Sequence, residues 1–194
     1  MSNVIILHGK PDKWELYDPN VPLPGDDHWY PWLHKQLAMN DIEACRPNVV
    51  RAFEADFETW KKEVSRFDIN EQTVVVAHSC GGGFFLRWLS ENRDVRLKKL
   101  VLVAPWLDPL NFMPENFGFD LFDFEPDSDL INRIDCLIFH SDDDMESIQK
   151  SLDEIKSYWP EINIRVFHQY GHFCKQNLSG GIFPELLDEI LESI

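Results

Sequence analysis

Ser79, the aspartate run Asp142-Asp143-Asp144 and His172 have the residue types and chain order for nucleophilic acyl chemistry. Ser79 follows Val74-Val75-Val76-Ala77, four β-formers that read as a strand buried on both faces. From Gly81 onward the chain takes up a helical apolar pattern. A strand reversing so sharply into a helix crowds its turn, so the residues two before and two after the serine must be small. Ala77 and Gly81 meet that demand, and Gly82 and Gly83 are expected to let the helix sit close to the sheet. This is the nucleophile-elbow pattern G-x-S-x-G with alanine in the first glycine position, and it would stand the Ser79 hydroxyl at the carboxyl edge of a sheet. A glycine-rich turn that only packs, or cradles a phosphate, has the same local pattern. The rest of the chain must decide.

A serine hydroxyl is a weak nucleophile and needs an adjacent base, itself oriented by an acid. On a sheet of this kind, acid and base follow the serine in that order, each just after a later strand. Cys136–His140 runs into Ser141 and the three aspartates, and Ile164–Phe167 runs into His168-Gln169-Tyr170-Gly171-His172. His172 is the better base, because Gly171 lets the loop bend whereas His168 lies too near its strand to reach across. The three aspartates remain open as the acid. Asp144 stands where a helix N-cap is the ordinary role. The tetrahedral intermediate needs two donors. One is the Cys80 backbone N–H; the other is the Lys10 N–H in His8-Gly9-Lys10, since Pro11 has no N–H to offer.

Other chemistries fare worse. Gly81-Gly82-Gly83 lacks dinucleotide spacing and no G-K-[ST] loop is present, so no cofactor is expected. His8, His78, His140 and His172 invite a metal reading, but no H-E-x-x-H or comparable spacing supports one, and no metal is expected. Histidines at strand ends are more often hydrogen-bonded core residues. Cys80 would point away from the elbow, and Cys174 is expected to be an unreactive thiol.

The chain has 194 residues, 44% of them hydrophobic, which suits one globular domain over 1–194. Its formal charge of −16 disfavours nucleic acid and anionic membrane surfaces as partners. Four scattered cysteines form no C-x-x-C, and no signal peptide or membrane span is read, so a cytoplasmic protein with free thiols is expected. Oligomeric state stays open, with a monomer preferred.

Short apolar runs alternate with amphipathic stretches, which argues for a parallel sheet covered on both faces. Strands are expected at Val4–Leu7, Ile42–Cys45, Val74–Ala77, Leu100–Val103, Cys136–Phe139 and Ile164–Phe167. Helices are expected at His28–Met39, Phe53–Phe67, after the elbow to about Ser90, at Asp144–Trp159 and at Pro184–Ile194, with Lys10–Asp27 a long loop. The stretch 106–130 has no clean period. It carries Phe112, Phe117, Phe119, Phe122 and Phe124 among Glu115, Asp120, Asp123, Glu125, Asp127 and Asp129, and is expected to form a small cap with an apolar underside.

Together, His8-Gly9, the block His28-Trp29-Tyr30-Pro31-Trp32-Leu33, the Ala77-His78-Ser79-Cys80-Gly81 elbow and Gly171-His172-Phe173 resemble the small α/β-hydrolase family that includes retinoblastoma-binding protein 9 and the bacterial YdeN-like proteins. The likeness covers nearly the whole chain. It implies an α/β fold reduced to about six parallel strands with helices on both faces, and a serine hydrolase acting on acyl groups. Ser79 and His172 carry over directly; the acid falls on Asp144, with Asp143 in reserve. Two departures stand out. Met145-Glu146-Ser147-Ile148 replaces the usual Val-Pro pair after the acid, and only Arg46-Pro47-Asn48 survives of a Pro-rich segment after the second strand. The Rb-binding L-x-C-x-E sequence is absent, so that partner is not carried over.

The expectation is an esterase-like serine hydrolase that cleaves an acyl ester or amide of a small molecule through an acyl-enzyme. The phenylalanines and carboxylates of 106–130 would favour an apolar acyl or aromatic group and a cationic leaving group. The competing expectation is a hydrolase-fold protein that has lost turnover and serves as a binding or scaffold module.

Overall fold

Each expected apolar run forms a strand in the computed structural model, which describes residues 2–108, 110 and 120–194. The strands are β1 (Asn3–Leu7), β2 (Glu43–Cys45), β3 (Thr73–His78), β4 (Lys99–Val103), β5 (Cys136–Ser141) and β6 (Asn163–Phe167). They pair in parallel in the order β2-β1-β3-β4-β5-β6. The helices are α1 (Lys13–Tyr17), α2 (Tyr30–Met39), α3 (Phe57–Val64), α4 (Cys80–Glu91), α5 (Leu130–Arg133), α6 (Glu146–Tyr158) and α7 (Pro184–Ser193).

Alternate strand residues face opposite ways. Leu7, Val75, Ala77, Leu100 and Leu102 pack in one buried cluster with Phe57, Trp60 and Val64 of α3 and Phe84 and Phe85 of α4. Val4, Ile6, Val74, Val76 and Val101 pack in another with Leu33 and Leu37 of α2 and Leu186 and Ile190 of α7. Both faces being covered explains why the central strands read as unbroken apolar runs. The fold is thus a six-stranded, three-layer α/β sandwich. Because β1 pairs with β2 on one side and β3 on the other, the connections diverge beyond the carboxyl ends of β1 and β3. Open α/β sheets bind ligands at such a switch point.

Several boundaries move for identifiable reasons. The helix expected from Phe53 begins at Phe57, because the Asp56 carboxylate caps it by accepting the Thr59 N–H at 2.9 Å. Phe53 is buried all the same, from the preceding turns. The helix expected from Asp144 begins at Glu146, with Met145 as its N-cap. Lys10–Asp27 is more than a loop. It holds α1, whose Glu15 carboxylate accepts the Asp12 N–H at 2.6 Å, and a 3₁₀ turn at Pro24–Asp26. The residues left of the expected Pro-rich segment tie down this connection: Asn48 Oδ1 accepts the Gly25 N–H at 2.7 Å, and Arg46 donates to the Gly25 carbonyl at 2.9 Å.

Of the expected cap, Phe112, Glu115, Phe117 and Phe119 lie outside the described residues. Trp106, Leu121, Phe122 and Phe124 join the α3–α4 side of the core. Two of the segment's carboxylates are structural: Asp120 accepts the Phe57 N–H at 3.0 Å, and buried Asp127 pairs with Arg133 at 3.1 Å.

The glycines after the elbow make room for more than the sheet. A methyl on Gly81 would overlap the His8 carbonyl oxygen and press on Leu7 Cγ at 3.2 Å. One on Gly82 would meet Pro105 Cβ at 2.9 Å, and one on Gly83 the Trp106 carbonyl and the Phe122 ring. The neighbour of Gly82 and Gly83 is therefore chiefly the segment leaving β4 and its Phe122 contact. Gly81→Ala is expected to cost about 1–3 kcal/mol of stability by overpacking. A fall in the urea midpoint at unchanged m-value would register it.

Candidate active site

Ser79 joins β3 to α4 with φ 53° and ψ −121°, a conformation that L-residues avoid. Its N–H donates to the Val103 carbonyl at 2.9 Å, and its carbonyl accepts from Gly82 at 2.9 Å and Trp106 at 3.0 Å. The turn is fixed from β4 as well as from its own helix. The β1 loop lies directly against it: a Cβ on Gly9 would stand 2.9 Å from Ser79 Cβ and 3.5 Å from its Oγ.

His8 sets the orientation of that loop. A backbone amide can only donate, so the Val49 N–H at 3.0 Å makes His8 Nε2 an acceptor. Nδ1 then carries the proton and donates it to the Gly9 carbonyl at 2.6 Å. In a planar trans peptide the carbonyl and the next N–H point opposite ways, so this bond turns the Lys10 N–H away from His8. Among the described residues neither the Lys10 nor the Cys80 amide donates a backbone hydrogen bond. Both remain available to a ligand.

The three aspartates divide their work. Asp142 Oδ2 meets His168 Nδ1 at 2.5 Å in a solvent-exposed pair. Asp143 Oδ1 accepts from Ser141 Oγ at 2.6 Å and from the Gly171 N–H at 2.9 Å, and these bonds hold its carboxyl below the ordinary carboxylate range. Asp144 faces His172, whose Nδ1 lies 3.0 Å and 3.1 Å from its two carboxylate oxygens. The Asp144 side chain is 0% exposed and that of His172 is 18% exposed. Gly171 has φ +48°, and a Cβ there would collide with the Asn177 side chain. The bend before His172 therefore needs glycine.

Behind His172 stands His78, buried at the end of β3. Its Nε2 lies 2.9 Å from the His172 carbonyl oxygen, and its Nδ1 lies 2.7 Å from the Tyr30 hydroxyl. The His78 and His172 ring centroids are 4.8 Å apart. Burial pushes the Cys80 thiol far up, and burial with the charge of Asp144 pushes the Cys174 thiol up to about 12. Neither thiol is primed as a nucleophile.

Ser79 and His172 line one cleft of about 390 Å³. Its other walls come from the β1–α2 connection, including Pro11, Leu16, Val21, Asp27 and His28, with Met145 and Cys174 opposite. No described residue of 106–130 lines it. Ser79 Oγ makes no hydrogen bond to His172 among the described residues. Ser79, His172, Asp144, Lys10 and Cys80 all lie at or beside the switch-point end of the sheet. His8 and His78 are the hydrogen-bonded core histidines expected at strand ends, but their partners, and the parts of Tyr30 and Asp143, were not read from the sequence. The one available hint was a histidine closing each of two neighbouring buried strands.

A family model described as serine hydrolase matches residues 23–181. The protein YdeN of Bacillus subtilis is 34% identical over 82 residues, which cover 40% of this chain and 43% of that protein. That alignment thus spans less than half the length of this curated relative. The crystal structure of the B. subtilis ydeN product superposes with a TM-score of 0.78 at 20% identity, covering 100% of this chain and 98% of the other. Est1E from Butyrivibrio proteoclasticus superposes with a TM-score of 0.65 at 14% identity, covering 99% and 88%. These likenesses identify the α/β-hydrolase fold. No helix among the described residues is long and apolar enough to cross a membrane.

The buried histidines carry a consequence for pH. Burial lowers His8 from 6.5 to about 4, and also lowers His78 well below the ordinary imidazole value. Between pH 6.5 and 4 the unfolded chain therefore binds more protons than the folded one. This contribution to stability is complete above pH 6.5 and is lost as pH falls through that window. For His8 alone the loss is roughly 3 kcal/mol. Urea midpoints measured from pH 7 to pH 4 should fall, with a shallower slope in His8→Gln; an unaltered slope in that variant would assign the loss to other groups.

Proposed function

Because the chain belongs to the serine hydrolase family, we propose that Ser79, His172 and Asp144 hydrolyse an acyl ester through a covalent acyl-serine. The observation that carries this reading is the buried Asp144 carboxylate 3.0 Å from Nδ1 of His172, which lines the same cleft as the strained Ser79. His172 Nε2 takes the Ser79 proton as Oγ adds to the substrate carbonyl. The Lys10 and Cys80 N–H groups receive the oxyanion. His172 then passes the proton to the departing alkoxide, and the C–O bond to the leaving group breaks. Water, deprotonated by the same imidazole, adds to the acyl carbon; collapse releases the carboxylic acid and returns the proton to Ser79. Asp144 keeps the proton of His172 on Nδ1 and stabilises the imidazolium. The Ser79–His172 contact needs to tighten only when substrate fills the cleft, as is common for resting catalytic pairs.

The described walls of the cleft carry the substrate class. Pro11, Leu16 and Val21 give it apolar surface, and Asp12, Glu15 and Asp27 give its rim negative charge against Lys10. A short neutral or cationic acyl ester fits these walls better than an anionic one. The amide analogue uses the same residues.

A fluorophosphonate probe should label the protein stoichiometrically and leave Ser79→Ala unlabelled. Asp144→Asn should lower kcat by about 10⁴-fold, the order set by mis-set tautomers in such triads, while Asp143→Asn retains most activity. A folded, unlabelled wild-type protein would favour a binding module instead. Short neutral aryl esters should exceed their carboxylate-bearing counterparts in kcat/KM by about tenfold, equivalent to ~1.4 kcal/mol. Equal rates would remove the substrate assignment.

A further inference from the structure

We infer that Tyr30 and His78 are positioning residues that hold the His172 loop in register with Ser79. The inference rests on the triad reading above and adds two residues outside the triad, nearly covered side chains that border the cleft behind His172. A carbonyl oxygen can only accept, so at 2.9 Å from the His172 carbonyl His78 Nε2 must carry the proton. Its Nδ1 is then an acceptor, and the Tyr30 hydroxyl at 2.7 Å donates to it. The tautomer of His78 is thus dictated from both ends. Tyr30 borders the same cleft as Gly9 and Lys10, and through His78 it is linked to the loop of the base.

The whole unit is shielded. Tyr30 is 1% and His78 2% exposed, and Trp29, Tyr30 and His28 surround the His78 ring with centroids about 6 Å away. Water cannot readily replace a lost partner there, so a wrong tautomer has a structural effect. If His78 carried its proton on Nδ1, the Nε2 lone pair would confront the His172 carbonyl oxygen. The loop would have to move. His172 would keep Asp144 only by rotating, and its Nε2 would leave the line to Ser79. Displacements of about 1 Å at such a pair can cost on the order of 100-fold in rate.

Three variants separate hydrogen bonding from packing. Tyr30→Phe keeps the ring and removes the donor. His78→Leu removes both links. His78→Gln keeps an N–H donor able to reach the His172 carbonyl. Fluorophosphonate labelling rates should fall about 10- to 100-fold in the first two and recover to within about fivefold of wild type in the third, with KM for a short aryl ester little changed. Nitrogen-15 NMR should show His78 protonated on Nε2 in the wild type. The downfield His172 Nδ1 proton should broaden in Tyr30→Phe and persist in His78→Gln, a reading that does not depend on turnover. Rates within twofold of wild type in both Tyr30→Phe and His78→Leu, or a His78 proton found on Nδ1, would overturn the inference. If even the wild type escapes labelling while the NMR pattern holds, the triad reading fails and the positioning of the His172 loop stands.

Discussion

The site depends on a backbone turn at Ser79 that is held in a costly conformation. A non-glycine residue at φ 53°, ψ −121° gives up about 1–3 kcal/mol relative to an ordinary turn. What holds it is shared among three elements: β4 accepts its N–H through Val103, while α4 and the segment after β4 donate to its carbonyl. The strain persists because no single element can relax it alone. Gly81 and Gly9 are the corresponding steric conditions. One lets the His8 carbonyl lie against the first turn of α4, and the other lets the β1 loop lie against the serine. The β1 loop and the Ser79 turn are thus one packing unit, built where β1 and β3 part company.

Around that turn, neutrality is as important as charge. His8 and His78 are buried, and each has one ring nitrogen facing a group of fixed polarity: an amide for His8, a carbonyl for His78. A buried imidazole that must donate on one side and accept on the other cannot be protonated without losing a bond. This agrees with the direction in which burial moves both groups. Their tautomers follow from the backbone, so they act as rigid connectors rather than titrating groups at neutral pH.

The strands were legible because burial on both faces leaves uninterrupted apolar runs, and the positions of Ser79, Asp144 and His172 were legible because each follows such a run. Helix starts were less so. Phe53 matched the apolar stripe of α3 yet lies in a turn, since the capping bond at Asp56 decides where the helix begins. The five-residue α1 escaped notice because Pro and Asp dominate its surroundings and its stability is local. The partners of His8 and His78 could not be read at all. Val49 is 41 residues from His8, and the His172 carbonyl is 94 residues from His78. Such bonds depend on the layers being assembled, and no local pattern records them.

The aspartate run shows why spacing alone did not single out one carboxylate as the proposed acid. Asp142 and Asp144 each meet a histidine nitrogen at hydrogen-bond distance, so pairing does not distinguish them. Solvent does. The Asp142–His168 side chains are 50% and 78% exposed, whereas Asp144 is fully covered and His172 nearly so. A pair in water is screened and contributes about 0–1 kcal/mol, whereas a desolvated carboxylate interacts far more strongly with an imidazolium that forms beside it. Asp143, between them, has one oxygen committed to Ser141 and Gly171 and so fastens the loop on which His172 rides. One aspartate faces solvent, one braces the loop, and only the third offers an imidazole a negative charge that water cannot screen.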